Sequence, residues 1–416
     1  MSSRRLVVLL VLGLLVIAGA IWLSLQRSLP RDTMIARHVL PALAGALNDV
    51  TGIKVVKAGD KTTVTLKRGS ADWAVGERSD YPADSSKVRK LLIDLSQLET
   101  VEEKTSDPKR YGQLAVEDVK DPKATGALLE ITGLKQPQQL IVGKTSGMHS
   151  AFVRVPSQAQ SYLATPQISV DSEPANWLDR SLLDIAATRV QEAHVRPATG
   201  PAYTAKRDAR EQTDFTVADL PKGRALSSPT AANSASSALA GFTFDDVRAL
   251  APDENWNKDT AQTDFRLFDG TTITVQGRTV DDKHWVRIIP GFDAALNQKF
   301  APAPSTNASQ SATAPKPAAA DATKPAAPDA TKPATADATK PAAPAATAPP
   351  PPPGPPAKSA DQIRGDSEAL TKRVSNWVYQ VPGYKYDTIF RPLEQILQPL
   401  PEKPAKPIKP TKPKKP

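Results

Sequence analysis

Cysteine is absent from all 416 residues, which excludes disulfides, thiolate metal sites and a cysteine nucleophile. Histidine is scarce: His38, His149, His194 and His284 are the four, and none stands in a metal-ligand spacing such as His-Glu-x-x-His. Gly-x-Ser-x-Gly, Walker and Gly-x-Gly-x-x-Gly patterns are missing too. "VGKTSG" at 142–147 lacks the earlier glycine that a phosphate loop needs. Asp245–Asp246 and Asp281–Asp282 are sequence neighbours, so on a strand each pair points to opposite faces and gives no facing carboxylates for glycoside chemistry. No catalytic residue, cofactor or metal is therefore expected, and the chain reads as a non-enzyme.

Charge is absent from one stretch, "LVVLLVLGLLVIAGAIWLSL", residues 6–25. Twenty uncharged residues at 1.5 Å rise span roughly 30 Å, the thickness of a hydrocarbon core. Arg4 and Arg5 precede it, so the short N-terminus is expected in the cytoplasm and the rest of the chain outside it. A cleaved signal peptide is the rival reading, with Ala18-Gly19-Ala20 as the cleavage site. The apolar run continues past that site, which favours an uncleaved anchor. The expected localisation is a single-pass protein of the bacterial plasma membrane with its bulk extracytoplasmic.

Lys and Arg total 53 against 44 Asp and Glu, a formal charge of +9. Six lysines follow Glu402 in the tail, leaving the remainder close to neutral. A tail of Lys and Pro without aromatics reads as a solvated arm, not a nucleic-acid groove. Residues 301–358 are almost wholly Ala, Pro, Thr, Lys and Asp, with "DATKPAAPDATKPATADATKPAAPAA" before "PPPPPGPP". So little apolar bulk predicts a disordered, partly polyproline spacer.

What remains has a period. "GKTSGMHSAFVRV" (143–155) and "GRTVDDKHWVRI" (277–288) both open on Gly, a basic residue and Thr, and both close on aromatic-Val-Arg and an aliphatic residue. From Val190 the order of the first half recurs: "VQEAHVRP" for "IKVVKA", "AYTAKR" for "VTLKR", "TDFTV" for "ADWAV", "HWVRI" for "SAFVRV". Trp73/Phe215 and Phe152/Trp285 are matched aromatics 142 and 133 residues apart. An ordered series of this kind predicts a duplicated α+β unit of antiparallel strands with one amphipathic helix each. In the first copy the helix is "DSSKVRKLLIDLSQL", with Asp84 or Ser85 as N-cap and Val88, Leu91, Leu92, Leu95 and Leu98 on one face. In the second it is "SPTAANSASSALAGF". A further helix is expected over 34–51, where Ile35, Val39, Leu43 and Leu47 recur every four residues. Phe152 and Trp285 are expected to face inward, with Arg154 and Arg287 stacked beside them, and Gly143 and Gly277 to end their strands. His149 and His284, at matching points, are expected to be surface loop residues.

The division that follows is 1–29 stub and anchor, 30–189 first unit, 190–300 second unit and 301–358 linker. Residues 359–400 are a helix, a strand ("WVYQV") and a short closing helix ("IFRPLEQIL") that complete the second unit, and 401–416 are the basic tail. Aromatics are only 5% of the chain, so the two stretches dense in them stand out: "SDPKRYGQL" and "WVYQVPGYKYD". Tyr111, Trp377, Tyr379, Tyr384, Lys385 and Tyr386 form a candidate partner surface, or else an aromatic lid over a sheet edge.

With the anchor, "LPALAGALNDVTGIKV", "DWAVGERSDYPADSSKVRKLLIDLSQLETVEEKTSDPKRYGQL", "FVRVPSQAQSYLA", "WLDRSLLDI" and "WVYQVPGYKYD", the chain resembles the bacterial domain-of-unknown-function family numbered 4340. The resemblance runs from about residue 30 to 400, apart from the linker. It implies an accessory component of ABC-2-type export permeases or gliding-type auxiliary systems, and it supplies no catalytic residue. A module binding envelope polymers and an envelope hydrolase are the alternative functions.

Overall fold

The structure is a computed structural model, and it describes residues 37–301 and 358–399 except 71, 219, 257 and 259. The anchor over 6–25, most of the 301–358 linker and the basic tail lie outside the described residues. Among the described residues seventeen strands build two antiparallel sheets. The first half of the chain supplies β1 (Gly52–Lys57), β2 (Lys61–Arg68), β3 (Trp73–Val75), β4 (Tyr81–Pro82), β5 (Glu99–Glu103), β6 (Ala127–Thr132), β7 (Gln138–Ser146), β8 (Ser150–Arg154) and β9 (Ser161–Thr165). The second half supplies β10 (Val190–Arg196), β11 (Tyr203–Lys206), β12 (Thr216–Ala218), β13 (Asp246–Ala249), β14 (Ala261–Leu267), β15 (Thr271–Val280), β16 (Lys283–Phe292) and β17 (Trp377–Val381).

Sheet one runs β4-β3-β2-β1-β6-β7-β8-β9-β5, and sheet two runs β12-β11-β10-β14-β15-β16-β17-β13. Apart from β4, the two orders coincide strand for strand, with β17, from beyond the linker, standing where β9 stands. In each sheet the edge strand after the matched ones (β5 or β13) comes from the segment preceding the sheet's second half. The strands form where apolar residues alternate. In β16, Val286 and Ile288 are fully buried while Ile289 is 38% exposed, the period-two pattern of a sheet with one covered face. Its turn from β15 places Asp281 and Asp282 at φ +50° and +59°, a two-residue hairpin turn whose left-handed positions aspartate tolerates.

Among the described residues helices are few: α1 (Ser85–Ser96), α2 (Tyr111–Leu114), α3 (Asn233–Ser237), α4 (Ala294–Lys299), α5 (Ala360–Val374) and α6 (Gly383–Ile389). In α1 the Asp84 side chain accepts from the Ser86 and Lys87 amides at 2.9 and 3.1 Å. The stripe Val88, Leu91, Leu92, Leu95, with Leu98 beyond it, is buried. The helix expected over 34–51 is instead, in its described part, two 3₁₀ turns, Pro41–Leu43 and Leu47–Asp49. Pro41 and the left-handed Gly45, at φ +80°, interrupt the α ladder between them. The helix expected in 228–242 contracts to α3. The closing helix at 389–397 is a 3₁₀ turn, Leu393–Ile396, because Pro392 cannot continue a helix through its position.

One core of buried residues runs through both sheets, from Leu43 and Leu95 to Phe265, Val286 and Tyr379. A smaller cluster of Val56, Tyr111, Val116, Val119, Leu128 and Ile141 lies apart from it, with the half-buried Phe152 packed against it. Phe152 and Trp285 thus differ from expectation. The inward residues of the repeated phrase are their neighbours Val153 and Val286, both fully buried in the main core. Gly143 and Gly277 are also not strand ends. Each lies within a long strand, at β7 and β15, where something presses close. A Cβ on Gly143 would stand 2.2 Å from the Leu114 carbonyl oxygen, and one on Gly277 would stand 2.2 Å from the Phe390 ring.

Candidate docking surface

The six aromatic-segment residues separate into three settings. Tyr111 is buried in the satellite cluster, its hydroxyl donating to the Ala159 carbonyl and its ring lying 4.6 Å under the Arg154 guanidinium. Arg154 therefore stacks on Tyr111, not on Phe152 as the sequence suggested. Trp377 and Tyr379 sit where the sheets meet. The Tyr81 ring of β4 meets Trp377 edge-on at 4.9 Å and Tyr379 at 6.2 Å, and Tyr379 meets Phe244 at 5.0 Å. Such offset and edge-on pairs are the favoured aromatic geometries. Burial pushes the Tyr81 phenol up to about 12, and burial with the neighbouring Tyr81 pushes Tyr379 further up. Both rings are neutral structural members of the seam. Beside them Arg78 donates to both carboxylate oxygens of Asp246 at 2.5 and 2.9 Å, tying the first half of the chain to the second.

Tyr384, Lys385 and Tyr386 share the third setting, helix α6. Lys385 is pinned: its ammonium donates to the Ala240 carbonyl at 3.1 Å, and burial lowers its pKa. Tyr386 is half-buried between Phe390 at 4.7 Å and the His284 ring, which stacks on it at 4.6 Å. Thr279 and His284 Nδ1 lie 3.0 Å apart, so the β15–β16 hairpin tip and the start of α6 form one packed platform. Out of that platform stands Tyr384, 68% exposed, whereas Val280, 43% exposed and next to Thr279 in β15, points to the other face of the hairpin. His284 is a packing residue here, whereas His149 is exposed at the β7–β8 tip. The two histidines at matching sequence points do different work.

Another concavity, about 940 Å³, opens beside the N-terminus of α1 and is lined by residues that include Asp84, Lys87, Asp171, Asn176, Asp179 and Arg180. Lys87 reaches Asp171 at 3.0 Å and lies 4.6 Å over the Trp177 ring. Burial raises the Asp171 pKa, but hydrogen bonds from Asn176, Lys87 and the Glu173 amide outweigh it and leave the carboxyl below its usual range. Its charges are thus spoken for within the fold. Among the described residues no group of three or more His, Asp or Glu is placed to hold a metal ion.

These features belong to a chain with a partial family assignment. Residues 73–264 match the model of a family described as Domain of unknown function (DUF4340). The match begins at β3, passes the seam strands β4 and β13, and ends within β14. It thus covers parts of both sheets and stops short of the hairpin and helix that carry Val280 and Tyr384. No curated protein and no solved structure matches the chain.

Sequence reasoning named Tyr384, Lys385 and Tyr386 but did not separate them from Tyr111, Trp377 and Tyr379, for a definite reason. It grouped aromatics by spacing along the chain, and only the fold shows that Tyr379 and Tyr384, five residues apart, lie in the core and in solvent.

Proposed function

We propose that this chain is a non-enzymatic docking protein, anchored in the bacterial plasma membrane by residues 6–25, that presents two copies of one α+β unit outside the cytoplasm to an ABC-type export permease or a gliding-type auxiliary protein. Residues 30–189 are the first copy, and 190–300 with 359–400 are the second, interrupted by the linker. The observation that carries the reading is Tyr384. An aromatic side chain 68% exposed, on a helix whose next two side chains are pinned, is a preorganised anchor of the kind that dominates protein interfaces. Among the described residues no helix is long and apolar enough to cross a membrane, so the anchor assignment rests on residues 6–25 and their flanking arginines.

Affinity purification from detergent-solubilised membranes tests the proposal. Export-permease subunits are expected to co-purify with the wild-type chain and to be lost with Tyr384→Ser. Their absence from both, or their equal recovery with Tyr384→Ser, contradicts it.

A further inference from the structure

The outer face of sheet two, away from the main core, carries an arrangement that sheet one resolves differently. In the repeated phrase, Arg154 and Arg287 occupy matching positions, opposite Ile141 in β7 and Gln276 in β15. Arg154 is 5% exposed and fully provided for. Its guanidinium donates to the carbonyls of Val116, Pro156 and Gln158 and lies over Tyr111. Arg287 has no such acceptors. Its Nε is buried without an acceptor, and it makes no hydrogen bond or ion pair among the described residues. A buried donor left unpaired is costly, and the chain's own first copy demonstrates what such an arginine requires: oxygen acceptors.

The charges around Arg287 have the same imbalance. Toward β10 and β14 the face is neutralised pairwise, Arg196 with Asp264 at 3.1 Å and Arg266 with Glu192 at 4.0 Å. Toward β13, β15 and β16 two arginines, Arg248 and Arg278, share one carboxylate, and Arg287 beside them has none. Glu254 accepts from Arg248 at 2.7 and 2.8 Å and also pairs with Arg278. Two tryptophans floor this cluster, with Arg248 5.1 Å over Trp285 and Arg278 4.4 Å over Trp256. The Nε of Arg278, the Nε1 of Trp256 and the Oε1 of Gln276 are also buried without partners. On the same face, by strand alternation, Val280 and Ile289 are 43% and 38% exposed.

We infer that this face of sheet two, centred on Arg287, Arg278 and Trp285, is a docking site for an acidic peptide segment of a partner protein, whose carboxylates pair with the terminal nitrogens of Arg287, which are not buried and have no acceptor among the described residues. The inference rests on the docking reading and names the chemistry of the partner. Guanidinium forks bind carboxylates bidentately. Aliphatic side chains flanking the carboxylates have Val280 and Ile289 to cover, which an isolated inorganic ion does not.

The test uses the full-length chain in detergent and a fluorescein-labelled, capped tetraglutamate peptide, followed by anisotropy. Saturable binding is expected, weakened about tenfold or more by Arg287→Gln and less by Arg287→Lys, which keeps the charge but not the fork. Arg110→Gln, a change at an exposed arginine of the first unit, is expected to leave it unchanged. The Lys-rich tail contributes equally to every variant, so the differences report the face. Equal binding by Arg287→Gln, no saturable binding by the wild type, or displacement by inorganic pyrophosphate as effective as by unlabelled peptide overturns the assignment, the last showing a general anion site. If Arg287→Gln loses its circular-dichroism signature, the Arg287→Lys comparison decides instead, and binding equal to wild type overturns the assignment. The assay contains no membrane partner, so a failed co-purification of permease subunits and a failed peptide titration are separate results.

Discussion

Gly277 is the residue of the repeated phrase whose substitution has the clearest consequence. A Cβ placed there would lie 2.2 and 2.5 Å from two ring carbons of Phe390 and 2.7 Å from one of Tyr386. Carbon atoms pack at about 3.5–4.0 Å, so the Phe390 ring has to retreat by more than about 1 Å. It has little room to do so, being 4% exposed and part of the main core. Overpacking of this kind costs about 1–3 kcal/mol. Against it stands a gain of about 0.4–1 kcal/mol from the stiffer unfolded chain, since Gly277 has no positive φ to forfeit. Gly277→Ala is therefore expected to destabilise the chain by about 1–2 kcal/mol. In urea unfolding this appears as a lower midpoint at unchanged slope. Phe390→Leu supplies the internal check, because shortening the ring makes space for the methyl. The double variant is expected to lose less than the sum of the two single losses. A Gly277→Ala chain as stable as wild type, or strict additivity with Phe390→Leu, refutes the close approach.

Three further outcomes follow from the same geometry. Gly143→Ala is expected to cost more than Gly277→Ala, with no side-chain change able to relieve it, because its Cβ would meet the Leu114 carbonyl oxygen of the backbone at 2.2 Å; urea midpoints of the two variants decide this. Burial raises Tyr81 and Tyr203 to about 12, above the value near 10 of an unfolded phenol. Their contribution is complete below pH 10 and is lost as pH rises toward 12, by at most about 1.4 kcal/mol per pH unit per ring; Tyr81→Phe and Tyr203→Phe should each flatten the alkaline limb of a stability–pH curve. Arg78→Ala should cost about 1–3 kcal/mol by leaving Asp246 without its bidentate partner, and Arg78→Ala with Asp246→Ala should cost less than the two separately.

Much of the strand framework was legible because alternation and turn residues are local signals. The order of the two sheets follows the recurrence that begins at Val190. What alternation leaves open is which face is inward. Phe152-Val153 and Trp285-Val286 are apolar on both sides of the strand, and the larger residue was the natural choice for the core. The fold instead buries the valines in the main core and leaves the aromatics half-covered, because the helices pack on the valine face. The edge strands β5 and β13 were illegible for a related reason. "ETVEE" and "DVRA" are short and charged, as edge strands are, and carry almost no hydrophobic period. The helix expected at 34–51 had its stripe but also Pro41 and Gly45, and the breakers won. Of the candidate surface, Tyr384 and its neighbours were legible as an aromatic segment. The role of Thr279 and His284 was not, since they meet Tyr386 only through pairing of β15 with β16.

The most direct test of docking places a photo-crosslinking phenylalanine derivative at position 384 in the full-length chain, in growing cells, with the same derivative at exposed Lys61 as reference. The account predicts a discrete adduct at 384, absent at 61, whose captured protein is an export-permease subunit or gliding-type auxiliary protein. Adducts of equal yield at both positions, or none at 384 in cells where the chain is folded and membrane-bound, contradict it.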